Sequence, residues 1–176
     1  MATTTWNLDI THSEIGFKIR HLMISNVKGN FGKYTGSFTT EGEDLSTAQI
    51  AFEAEAASIN TNNEQRDGHL KSGDFFDVEQ FPHISFKSTE VIKKDEHHFT
   101  VKGHLEIKSV AKPVELEVIS SGIAKDPWGQ TKIAFEINAK INRSEFGLTW
   151  NAPLETGGLL LSDEIHLNAE VQFVKA

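Results

Sequence analysis

The residues best equipped for chemistry crowd one polar segment, where Arg66, Asp67, His69 and Lys71 fall within a single helix-length stretch and Asp74 and Asp77 follow. Arg66, His69 and Lys71 together could donate hydrogen bonds to a phosphate or carboxylate head group. The same residues have a structural use, because Arg66 and Asp67 on a short helix can tie it to its neighbours through hydrogen bonds and an ion pair. Both uses remain open at this point. A chain with a formal charge of −8 would not draw an anion in from a distance, so any head-group capture must be local.

Eight histidines raise the question of a metal: His12, His21, His69, His83, His97, His98, His104 and His166. No pair has the spacing that sets two ligands on one helical face with an acidic third, and His97 and His98 are adjacent on a strand end, so no metal site is expected. Ser, His and Asp residues are present, but without a Gly-x-Ser-x-Gly elbow, a glycine-rich phosphate loop or a His-Glu-x-x-His motif. The pattern therefore argues against an enzyme and against a bound cofactor. With no cysteine, disulfides, thiolate metal sites and cysteine nucleophiles are excluded.

The elements that must position these residues are strands. Apolar residues recur with period two, the mark of strands buried on one face. Ile15, Phe17 and Ile19 alternate with Glu14, Gly16, Lys18 and Arg20, and Ile165, Leu167, Ala169, Val171 and Phe173 alternate with His166, Asn168, Glu170 and Gln172. The same rhythm runs through 48–56, 99–107, 114–118 and 133–141, with weaker stretches at 4–8, 28–40 and 84–91. Turns are expected at Glu41–Asp44, Lys93–Glu96, Lys112-Pro113 and Asp126–Gly129, with a solvated turn at Asp163-Glu164 and a glycine bend at Glu155–Gly158.

Between residues 62 and 81 the alternation stops. A short polar helix over 62–71 with Asn62 as its N-cap is expected, then a second helical turn over 74–81 ended by Pro82. An all-β antiparallel barrel of about eight strands, formed by residues 1–176 as one domain and carrying this helical excursion, accounts for the whole chain. Small residues at inward positions (Ala48, Ala54, Ala56, Gly103, Ala139 and Ala169) leave two possibilities. Either the interior is hollow, or these positions receive the rings of opposite phenylalanines.

The acidic balance speaks against nucleic acid as a partner. No run of apolar residues is long enough to span a bilayer. The opening Met1-Ala2-Thr3-Thr4-Thr5-Trp6 lacks the basic and apolar regions of a secretory leader, so a cytoplasmic location is expected unless a leader has been removed.

Several strings resemble the YceI-like family: Asp9-x-x-His12-Ser13-x-Ile15-x-Phe17-x-Ile19-x-His21-Leu22, Arg66-Asp67-x-His69-Leu70-Lys71-Ser72-x-Asp74-Phe75-Phe76-Asp77, and Asn142-Arg143-x-x-Phe146-Gly147-Leu148-x-Trp150-Asn151. The resemblance continues through Leu154-Glu155-x-Gly157-Gly158 and so covers nearly the whole chain. It implies an extended lipocalin-like barrel that holds a long-chain lipid, a polyisoprenoid or fatty amphiphile, for transport or storage. The ligand would then lie against Phe17, Ile19 and His21, Ile50 and Phe52, and Ile84 and Phe86. Leu105, Ile107, Phe135, Ile137, Trp150 and Leu167 complete the expected lining, and Arg66, His69 and Lys71 are the head-group candidates. Where the family usually has Gly ahead of Lys-Pro-Val, this chain has Ser109. Phe75 and Phe76, expected to be exposed on the excursion, could serve a homodimer.

Overall fold

The structure, a computed structural model, describes residues 2–21, 25–151 and 161–176, and of His21 only the backbone. The expected glycine bend at Glu155–Gly158 lies outside the described residues. The strands are β1 (Thr3–Leu8), β2 (Glu14–His21), β3 (Ser25–Phe31), β4 (Tyr34–Glu41), β5 (Asp44–Glu55), β6 (Ile59–Asn60), β7 (His83–Lys93), β8 (His98–Ile107), β9 (Val110–Lys125), β10 (Thr131–Asn142) and β11 (Leu161–Lys175); the helix α1 spans Glu64–Lys71.

One-sided burial drives closure, because an open sheet of this size would leave wet apolar faces and unpaired edges. The ring runs β1-β4-β5-β7-β8-β9-β10-β11 and closes through Leu8↔Phe173, every pairing antiparallel. Strands β2, β3 and β6 extend that ring rather than adding to it. β1 and β2 lie end to end along β11, and β3 and β4 are one bent strand broken at Gly32-Lys33. A short helical turn at Ala56–Ser58 likewise joins β5 to β6. The expected single strand over 28–40 is thus two, and the bend lets the barrel lengthen towards α1.

The two ends differ. At the end bearing the 41–44, 93–98 and 125–131 turns, Trp6, Phe38, Ile133, Val171 and Phe173 form a solid plug, with Trp6 stacked on Phe38 at 5.7 Å and Phe38 edge-on to Phe173 at 4.8 Å. Fully burying each such side chain contributes about 1.5–3 kcal/mol. Trp6 also donates its indole N–H to Thr40 at 3.3 Å, satisfying the one polar atom it carries inside. The opposite end is covered by α1 and the turns that follow it.

Four local expectations are corrected. Asn62 does not cap α1; it adopts a left-handed φ of 61°, which asparagine tolerates, and the cap moves to Asn63, whose side chain accepts from Arg66 N at 3.0 Å. Residues 74–81 form successive hydrogen-bonded turns instead of a helical turn, interrupted by Asp77 at φ 48°. Pro113 lies inside β9 opposite His104, and the turn comes earlier, at Lys108-Ser109. Asp163 and Glu164 belong to β11, where Asp163 accepts from Ser144 N at 3.0 Å and from its hydroxyl at 2.9 Å.

The Lys108-Ser109 turn carries two left-handed residues, φ 53° and 60°, between the paired Ile107 and Val110. That conformation strains any side chain except the short amides and glycine. The double substitution Lys108→Asn, Ser109→Gly is expected to raise stability by about 1 kcal/mol, read as a higher urea midpoint with unchanged slope.

Candidate functional site

Above the plug the barrel is hollow. A cavity of about 410 Å³ runs up to α1, walled by inward residues of nearly every strand. Phe17 and Ile19 of β2, Ile50 and Phe52 of β5, and Ile84 and Phe86 of β7 line it; so do Leu105 and Ile107 of β8, Phe135 and Ile137 of β10, Leu167 of β11, and Trp150. The side chain of His21 lies outside the described residues.

The small inward residues divide between the two expectations. Ala48, Ala54 and Ala169 border the cavity. Gly103 does not open space, because a Cβ there would overlap the Lys87 carbonyl oxygen and sit 2.6 Å from the Phe86 ring. Gly29 behaves in the same way, its absent Cβ replaced by the Phe17 ring at 2.5 Å. Glycine at these two positions seats an aromatic wall; it does not create the void.

Four residues with basic or amide side chains border the cavity: Arg66, His69, Arg143 and Asn168, the last exposed on the outward register of β11. Among the described residues no Asp, Glu, Ser, Thr, Lys or Tyr lines it, so it offers neither a nucleophile nor a carboxylate pair. No three His, Asp or Glu of the described residues come together in a way that could hold a metal ion.

Of the head-group candidates, Arg66 and His69 reach the cavity and Lys71 does not. Arg66 is already engaged: its Nε donates to the Thr61 hydroxyl and its Nη2 to the Thr61 carbonyl, both at 2.8 Å. Thr61 in turn donates its N–H to Asp67 at 2.9 Å and its hydroxyl at 2.5 Å. The helix is therefore tied to the end of β6 by hydrogen bonds of both Arg66 and Asp67 to one buried threonine. Thr61→Val removes the two hydroxyl bonds of that relay, to Asp67 and from Arg66, and leaves the two backbone ones; it is expected to cost about 1–2 kcal/mol, with faster amide exchange across α1 than in the strands as the check.

His69 stands edge-on to Trp150 at 4.7 Å and to Phe75 at 5.1 Å, its Nε2 2.8 Å from Asp74 Oδ2. Phe75 is buried, at 6% exposure, and Phe76 is half-buried with its ring edge on Phe31. This corrects the expectation of two exposed phenylalanines and removes the ground for a dimer built on them. The rings form the underside of the cap.

Arg143 has a role that its place in the Asn142-Arg143 string did not announce. Arg143 is 3% exposed and donates from Nε to Ser162 O at 2.9 Å and from Nη1 to Leu148 O at 2.6 Å and Trp150 O at 2.8 Å. Burial pushes its pKa down from the ordinary guanidinium value, and the negative charge of Asp163 opposes that. The fork pins the 148–150 segment, and with it Trp150, against the start of β11. The one trace in the sequence is an arginine just past the alternating run 133–141 and three residues ahead of Phe146-Gly147-Leu148.

The model of the YceI-like domain matches residues 6–173. UPF0312 protein SA2479 of Staphylococcus aureus (strain N315) is 35% identical over 171 residues, 97% of each chain. The crystal structure of the Campylobacter jejuni YCEI protein superposes with a TM-score of 0.77 at 35% identity, over 89% of this chain and 90% of that one. A polyisoprenoid binding domain from Saccharophagus degradans, implicated in plant cell wall breakdown, shares the fold at a TM-score of 0.72 and 12% identity, covering 97% and 98% of the two chains.

Proposed function

We propose, from the premise that this chain belongs to the family of YceI-like domains, that its barrel holds one long-chain lipid, a polyisoprenoid or fatty amphiphile, and carries or stores it without changing it. The observation that carries this reading is the cavity itself. It is about 410 Å³, apolar along its walls, and its polar side chains Arg66, His69 and Arg143 come from α1 and the segment after β10. That is the arrangement an amphiphile needs, with an apolar chain inside and its polar end near the cap. The binding of polyisoprenoid by the Saccharophagus domain of the same fold supports the ligand class.

Apolar walls supply enough free energy. Burying a chain of about 15 carbons gains about 12 kcal/mol gross at about 0.8 kcal/mol per methylene, part of which offsets lost ligand freedom. Walls of this kind discriminate by length and width more than by chemistry, so loose selectivity among chains is expected. Among the described residues the lining holds no hydroxyl nucleophile and no carboxylate pair, which favours carriage over turnover.

Trp150 is the reporter. Of the three tryptophans, Trp6 is in the plug, Trp128 is exposed at a turn tip and Trp150 borders the cavity. Titrating delipidated protein with a long-chain prenyl alcohol is expected to change the Trp150 emission saturably at one equivalent, and Trp150→Phe removes the signal without removing binding. An emission that never responds, with no ligand retained on gel filtration, contradicts the proposal.

A further inference from the structure

The barrel wall is not laddered throughout: residues 44–50 of β5 and 88–93 of β7 form no ladder pair with each other at the plugged end, where Leu45, Ala48 and Ile50 pack on the plug, and a second gap opens above the plug. Strands β9 and β10 pair from Thr131↔Lys125 only as far as Asn138↔Glu117. Both strands run on beyond that point, β9 paired with β8 to Ile107↔Val110 and β10 paired with β11 to Asn142↔Glu164. Residues 110–116 of β9 and 139–142 of β10 therefore border a slit across which no ladder pair forms. Pro113 lies in this stretch; a residue with no N–H is tolerated where a strand has a free side.

A cleft of about 600 Å³ occupies the slit. Its rim carries polar side chains of both kinds, the basic Lys18, Lys140 and His166 and the acidic Glu115, Glu117 and Glu145. Its inner wall includes Val114, Ile141 and Leu167, and these three, with Asn168, also line the central cavity. The two spaces share a wall at the point where the strands are not joined.

We propose that this slit is the route by which the apolar chain enters and leaves the barrel, a proposal that rests on the lipid-carrier reading. The alternative route, under the cap, is held shut by the Thr61 relay and by buried Phe75, whose ring contacts Trp150 at 5.4 Å. Opening the cap breaks those bonds and wets those rings. Parting residues 110–116 of β9 from 139–142 of β10 breaks no ladder hydrogen bond, and the chain slides from a polar rim directly onto the apolar wall.

The chain has no cysteine, so a specific crosslink is simple to introduce. Continuing the register would set Glu115 opposite Lys140, both exposed on the outer face. The double variant Glu115→Cys, Lys140→Cys is loaded from vesicles carrying a fluorescent long-chain alcohol, before and after bridging with a short bis-maleimide. Bridging is expected to slow loading and unloading at least about tenfold while leaving the equilibrium affinity within about threefold, as a gate does. Ala139→Trp, which places a ring in the slit, is expected to slow both rates in the same direction. Loading by the bridged form at the unbridged rate overturns the slit alone, since one folded preparation supplies both arms. Failure of the unmodified protein to load overturns the carrier reading instead.

Discussion

Ala169→Phe is expected to weaken binding of a long-chain alcohol about 100-fold while shifting the unfolding free energy by less than about 1 kcal/mol. Ala169 points inward from β11, half-buried between Ile15 on β2 and Ile137 on β10, and borders the cavity. A phenyl ring growing from it enters space that holds no protein atoms. It displaces ligand instead, and losing contact for about four methylenes at about 0.8 kcal/mol each gives about 3 kcal/mol, which is the stated loss of affinity. Isothermal titration paired with urea unfolding measures both quantities. Gly103→Val is the counterpart: its side chain would meet the Lys87 backbone and the Phe86 ring, so about 2–3 kcal/mol of stability should be lost. A filled interior would instead make Ala169→Phe the destabilising change of the two.

Arg143→Met is expected to lower stability by about 3–5 kcal/mol, the largest loss foreseen for any single polar residue. Its side chain is the donor to three backbone carbonyls, at Leu148, Trp150 and Ser162. Each acceptor left dry costs about 1–3 kcal/mol, and removing a buried charge returns only part of that. Arg143→Lys should recover little, because one ammonium cannot span three carbonyls held by a planar fork. The urea midpoint gives the loss, and the near-ultraviolet dichroism of Trp150 should weaken if the 148–150 segment is released before the barrel unfolds.

Much of the barrel was readable because burial on one face leaves a direct trace in residue order. Ile165, Leu167, Ala169, Val171 and Phe173 face inward with no exception, and that alternation rules out any one-residue slip of β11 against β10. Turns were less legible where the chain breaks local preference. Pro113 reads as a turn residue yet lies in β9, because the strand is unpaired on one side there, and Lys108-Ser109 takes the left-handed turn without the usual glycine or asparagine. Phe75 looked exposed because its neighbours Asp74 and Asp77 are polar; only the fold-back of residues 72–81 onto the barrel rim buries it.

The candidate site was legible on its walls and obscure at its ends. Inward phenylalanines and isoleucines are announced by period two, whereas whether the void between them is full depends on ring placement across the barrel, as at Gly103 and Gly29. The polar residues of α1 drew attention first as chemistry. The structure commits Arg66 to Thr61, sets His69 among rings, and leaves Lys71 off the cavity wall. The slit between β9 and β10 left no trace in composition beyond Pro113, since a missing ladder is a property of two strands together.

Occupancy of the barrel by one apolar chain can be weighed. Native mass spectrometry of stripped, refolded protein incubated with a series of prenyl alcohols should show one alcohol per chain, retained by the wild type and depleted in Ala169→Phe. A spectrum showing only the bare chain at every alcohol length would contradict it.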